Sequence, residues 1–241
     1  MRRSRLAAPS GIEVAATAIA GASNVLLNRV VPRPLQVPAA LAAAGSLVLL
    51  ARRAGATGSQ LGLAKEDVRQ GLSTGLAAGM PIGAVVALGA FVPWTARFFR
   101  DERIVRADML EAAHELLVRL PLATVVAEEL MFRGALEAVF SQRRSAAAAA
   151  LISAGLFGAW HVLPTLDRTH SNPGVSGVNG GSKAKQAMVV VSICATTSAT
   201  GLALSWLRKR SASIVAPILV HFAANAGGYF GGWLAGRHAE G

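Results

Sequence analysis

Two adjacent glutamates, Glu128 and Glu129, lie inside an apolar stretch running from Leu122 to Phe140. Carboxylates are costly in hydrocarbon unless paired or put to work, so an ionisable pair there marks a functional site. Arg133 and Glu137 follow Glu129 at four-residue steps, which puts these three on one face of a helix. Glu128 lies about 100° further round, so the two glutamates cannot face the same partner. Arg133 can hold Glu129 ionised through a charge-assisted hydrogen bond. Glu128 is then free to face a cavity as a general base. The plainer reading of the Glu129–Arg133–Glu137 row is a packing clamp, a role that suits Glu129 and Glu137 better than Glu128.

Two later apolar stretches carry one histidine each. His161 follows Phe157 by four residues, near the end of its stretch and just before Pro164. His221 precedes Asn225 by four, so their side chains stack on one helix face about 6 Å apart. A single histidine near a membrane boundary is commonly no more than an interfacial residue. Costly polar residues recurring in three separate apolar stretches point instead to an active site inside a membrane.

The elements that must position these residues follow from composition. Of the 241 residues 53% are hydrophobic but only 5% aromatic, so Ala, Leu, Val and Gly supply the apolar mass. That mass falls into about seven runs, each long enough to cross a core of roughly 30 Å at about 1.5 Å per residue. The spans are read at about 12–30, 35–51, 72–94, 120–140, 146–164, 187–207 and 212–235. The expected fold is all-α, a polytopic transmembrane bundle of about seven to eight helices, multi-pass in the cell (plasma) membrane. Residues 1–119 hold N-terminal transmembrane helices and a basic interfacial segment, and residues 120–235 the catalytic core.

The net charge of +11 does not indicate nucleic acid. The basic residues lie between the apolar runs, in clusters such as Arg52-Arg53, Arg143-Arg144 and Arg208-Lys209-Arg210, which read as headgroup anchors. Basic residues divide almost evenly between the two sides, so orientation is not fixed. The lone Cys194 excludes a disulfide framework and a Cys-rich metal site. The start, Met1-Arg2-Arg3-Ser4-Arg5, resembles a signal peptide, but the apolar run continues and further spans follow, so it reads as a retained first helix.

Gly75, Gly79 and Gly83 in the third span, with Gly227, Gly228, Gly231 and Gly232 in the last, predict close helix packing. Between residues 95 and 119, Arg97, Arg100, Arg103 and Arg106 alternate with apolar residues. That pattern predicts a basic amphipathic interfacial helix or a loop gating the site. Residues 165–186, with Asn172-Pro173-Gly174 and Gly180-Gly181, read as an extramembrane loop. With seven spans, the start of the fourth and the ends of the fifth and seventh share one side. Glu128 then lies roughly 12 Å from that side and His221 roughly 15–20 Å. His161 lies only about 5 Å from it unless its helix continues past Pro164.

Three motifs in this order, EExxxR (Glu128, Glu129, Arg133), FxxxH (Phe157, His161) and HxxxN (His221, Asn225), resemble the signatures of the CAAX protease and bacteriocin-processing family. Its members are intramembrane proteases related to the prenyl-protein endopeptidase that trims CAAX tails. The resemblance covers about residues 120–230 and implies peptide-bond hydrolysis in the membrane, on a membrane-associated protein or peptide. It implies that Glu128 and His161 position and activate a water while His221 and Asn225 stabilise the oxyanion. Such donors aimed at a developing oxyanion are worth about 3–4 kcal/mol. A metal is left open: Glu128, His161 and His221 could form a His2Glu zinc site, although no HExxH is present. Two other readings compete. One is a non-proteolytic bacteriocin-immunity or membrane-protein binding factor, against which stands the intact motif set. The other is a proton-coupled transporter with a Glu–His relay, against which stands the lack of inverted repeats.

Overall fold

A computed structural model describes residues 10–171 and 182–240. It is helical throughout, with no strand among the described residues. Helix α1 (Gly11–Arg29) opens on a capping box between Ser10 and Glu13. A one-turn 3-10 helix, Arg33–Leu35, leads into α2 (Gln36–Arg53), and α3 is Val68–Gly89. After the short α4 (Glu102–Val105), five contiguous segments from Met109–His114 to Glu137–Ser141 form one helix, α5, over residues 109–141. Two of those segments, Glu115–Val126 around Pro121 and Leu130–Leu136, are wound as π-helix. Helices α6 (Ala146–Trp160), α7 (Val162–Ser171), α8 (Lys183–Ser211) and α9 (Val215–Glu240) complete the bundle.

Among the described residues, four stretches are long and apolar enough to cross a membrane: Arg33–Arg53, Lys65–Gly89, Ala146–Asp167 and Lys183–Ser211. The seven expected spans are therefore not all of one kind. Among the others, α1 carries Glu13, Asn24 and Asn28, and α5 carries Glu128, Glu129, Arg133 and Glu137. These polar residues dilute their hydropathy and face inward: Glu13, Asn24, Glu128, Glu129, Arg133 and Glu137 are all buried. Apolar residues point the other way. Val85, Leu117, Met188 and Val191, for example, are exposed on the outside of the bundle. That is the inverse of a water-soluble pattern and the expected one for helices whose outer faces meet lipid.

The expected glycine packing is present between α3 and α9. An added Cβ at Gly75 would meet Leu219 at 2.8 Å, and one at Gly83 would meet the Ala223 carbonyl oxygen at 2.9 Å. One at Gly227 would overlap the carbonyl of Gly83. Only hydrogen at these positions lets the backbones come this close. This packing fixes α9, and with it His221 and Asn225. A second core, around Leu47, Met131, Phe132, Leu136 and Phe157, joins α2, α5 and α6 and holds the two glutamates in place.

Two sequence expectations need correction. The 95–119 region is not one amphipathic helix. It is a 3-10 turn (Ala96–Phe99), then α4, then the start of α5. Asp101 and Asp108 are the reason: each accepts backbone N–H groups as an N-cap, so each starts a new helix. The 165–186 region is not loop at its start, because α7 runs to Ser171. Residues 172–181 lie outside the described residues, as does Met1-Arg2-Arg3-Ser4-Arg5.

Candidate active site

The site forms where α5, the α6–α7 junction and α9 meet. Arg133 Nη1 donates to Glu129 Oε1 at 3.0 Å, with the two side chains 1% and 0% exposed. The same oxygen accepts from His221 Nδ1 at 2.8 Å. A carboxylate can only accept here, so Nδ1 of His221 carries the proton and, in the neutral ring, Nε2 carries the lone pair. That Nε2 faces Glu128 Oε2 at 3.9 Å. Arg133 also lays its guanidinium over the Phe157 ring, 4.0 Å from the centroid. Phe157 in turn stands edge-on to His161 and His221, at 4.6 and 6.0 Å between ring centres.

Glu128 is oriented by a residue that the sequence did not single out. Trp160 Nε1 donates to Glu128 Oε1 at 2.9 Å. Its own backbone carbonyl is held by Asn24 Nδ2 of α1, also at 2.9 Å. The other carboxylate oxygen, Oε2, is buried without a hydrogen-bond partner among the described residues. A buried tryptophan N–H needs an acceptor, and Trp160 sits next to the motif histidine. Those two facts were the available signal.

His161 occupies the α6–α7 junction. Its backbone N–H bonds to Gly158 O, three residues back, which leaves the Phe157 carbonyl free of its usual helical partner. His161 Nδ1 takes that carbonyl at 2.8 Å, which again leaves Nε2 as the acceptor nitrogen. The chain continues helically past Pro164, since a proline in the first turn of α7 has no hydrogen bond to lose. His161 therefore lies within the Ala146–Asp167 stretch rather than at its end. His161 and Asn225 are half-buried.

Glu137, expected in a row with Arg133, turns to α8 instead. It accepts from Ser205 Oγ and lies 4.0 Å from Lys209 Nζ. The clamp is thus Glu129–Arg133–His221, with Glu137 in a separate contact. Among the described residues no group of three His, Cys, Asp or Glu side chains is placed to hold a metal ion. The side chains as they stand do not fit the His2Glu zinc set, and no step below is routed through a metal.

A helical membrane bundle that buries two carboxylates, an arginine and His221 together, with the half-buried His161 beside them, carries the residue types of a hydrolytic site inside a membrane. Residues 112–227 match the family model described as type II CAAX prenyl endopeptidase Rce1-like, in agreement with the resemblance carried by the three motifs. No curated protein and no solved structure matches the chain.

The Trp160 contact makes a prediction. Trp160→Phe keeps the ring but removes the N–H. Losing a buried hydrogen bond to a charged group is worth about 1.5–3 kcal/mol, so kcat should fall about 10- to 100-fold. Michaelis constants measured on the variant should stay near wild type; a rise in KM with kcat intact would make Trp160 a substrate contact.

Proposed function

We propose that the protein is an intramembrane endopeptidase that hydrolyses a peptide bond of a membrane-associated protein or peptide, using a water activated by Glu128. The observation that carries this reading is the Glu128 Oε2–His221 Nε2 pair, 3.9 Å apart, one a buried carboxylate oxygen without a partner and the other a ring nitrogen with a lone pair. A separation of this size suits a water that donates one O–H to each. Catalysis then belongs to residues 120–235, with residues 1–119 supplying helices packed on them, and the plasma membrane as the setting.

In this mechanism Glu128 takes one water proton, and the hydroxide oxygen bonds to the scissile carbonyl carbon. His221, aligned by Glu129, accepts the second O–H and so fixes the direction of attack. Asn225 shares a face with His221 and donates its amide to the oxyanion. The C–N bond breaks as the proton on Glu128 passes to the leaving nitrogen. His161, with Nε2 as acceptor, binds the substrate's backbone N–H beside that bond. The oxyanion role that the family resemblance gives His221 requires a proton on both ring nitrogens. The Glu129 contact fixes only the Nδ1 proton, so Asn225 is the primary donor here.

Asn225→Ala should lower kcat by roughly 10²–10³ with little change in KM, because the contact strengthens in the transition state. Steady-state kinetics on a cleaved peptide checks this, and an effect confined to KM would overturn the oxyanion role. Elemental analysis of the purified protein tests the metal question alongside. Stoichiometric zinc lost on His221→Ala but retained on Asn225→Ala would overturn the metal-free mechanism.

A further inference from the structure

We propose that the cavity between residues 90–106 and the C-terminal half of α9 binds an anionic phospholipid, with the headgroup phosphate on Arg100 and Arg106. The cavity measures about 610 Å³ and is separate from the site of Glu128. Phe91, Phe99 and Val105 line its apolar wall, and Arg100, Arg106, His238 and one carboxylate, Glu102, its polar part. Glycines of α9 let the 99–105 segment lie against it. An added Cβ would stand 2.8 Å from the Phe99 carbonyl oxygen at Gly232 and 2.8 Å from Val105 at Gly236.

Position and charge together select the ligand. The cavity begins just past Gly89, where the Lys65–Gly89 stretch, apolar enough to cross a membrane, ends. Phe91 of its wall and, close by in the chain, Trp94 and Phe98 are exposed, Trp94 at 80%. Exposed aromatics beside arginines at the end of a spanning stretch mark the headgroup level. Arg103 is committed to Asp101 at 2.8 Å. Arg106 meets Glu102 at 3.2 Å, but that pair is 77% and 54% exposed and exchanges readily with water or another anion. Arg100 has no acidic partner among the described residues. Arg97 and Arg237, each stacked on an aromatic ring, add to the positive field. An ordered ligand here must therefore be apolar at one end and anionic at the other. A zwitterionic headgroup brings its own cation and gains less.

Native mass spectrometry of the full chain in mild detergent, given equal amounts of phosphatidylglycerol and phosphatidylcholine with matched chains, tests this. The expected result is one retained phosphatidylglycerol per chain, favoured about 10-fold or more over phosphatidylcholine by the two arginines. Arg100→Gln with Arg106→Gln should bring the ratio close to one. Glu102→Gln, which frees Arg106, should raise it. Equal retention of both lipids by the wild type would overturn the proposal, as would an unchanged preference in the double variant. If the double variant fails to fold, Glu102→Gln decides alone, and an unchanged ratio there also overturns it. The readout is lipid retention, so the result is independent of whether Glu128 is a peptidase base.

Discussion

Glu128→Gln should abolish peptide cleavage while leaving the bundle folded. The amide is nearly isosteric, and its oxygen can still accept from Trp160 Nε1, which contacts Glu128 Oε1 at 2.9 Å. The group lost is Oε2, which has no hydrogen-bond partner among the described residues and faces His221 Nε2. An amide there cannot take a proton. Since positioned proton transfer contributes about 10²–10⁴-fold, the rate should fall by at least that range. The check compares membrane-derived peptides by mass spectrometry in cells carrying wild type and variant, with the melting midpoint of both proteins measured in detergent. Peptides that disappear with an unshifted midpoint establish the base. Undiminished cleavage by the variant would sink the assignment of Glu128 as the base.

The sequence made some of this geometry legible and hid the rest for physical reasons. Glu129 and Arg133 meet as the one-turn spacing required, because both lie on one helix and local periodicity governs their approach. Glycine spacing likewise announced close packing at α3 and at α9, since only small residues admit such close backbones, but not that the two helices pair with each other. Glu137 misled: equal spacing along the chain put it in Arg133's row, but α8 offers Ser205 and Lys209, and a tertiary partner outweighs a local one. The contact of His221 with Glu129 joins residues far apart in sequence, and no periodicity encodes it. Nor did any periodicity mark Trp160, because an aromatic in an apolar stretch reads equally well as packing. The break-up of the 95–119 region was present in the chain as two aspartates at cap positions. The alternation of arginine with apolar residues concealed it.

Arg133→Ala should destabilise the fold as well as lower activity. Arg133 is 1% exposed, and it is the cation that offsets the fully buried Glu129 carboxylate. Its removal leaves Glu129 facing only His221, and stranding one partner of a buried ion pair costs about 3–5 kcal/mol. The stacking on Phe157 is lost with it. Because Phe157 lies against both histidines, the catalytic geometry loosens too. Thermal unfolding in detergent, followed beside the cleavage rate, reads both effects. The double variant Arg133→Met with Glu129→Gln separates charge from shape: it removes both charges and refills much of the volume. If the loss in Arg133→Ala is electrostatic, the double variant should regain most of the stability. Activity should stay low, because a neutral amide at position 129 no longer holds His221 as a carboxylate does. An unchanged unfolding midpoint in Arg133→Ala beside a lost cleavage rate would move Arg133 out of the scaffold and into the chemistry.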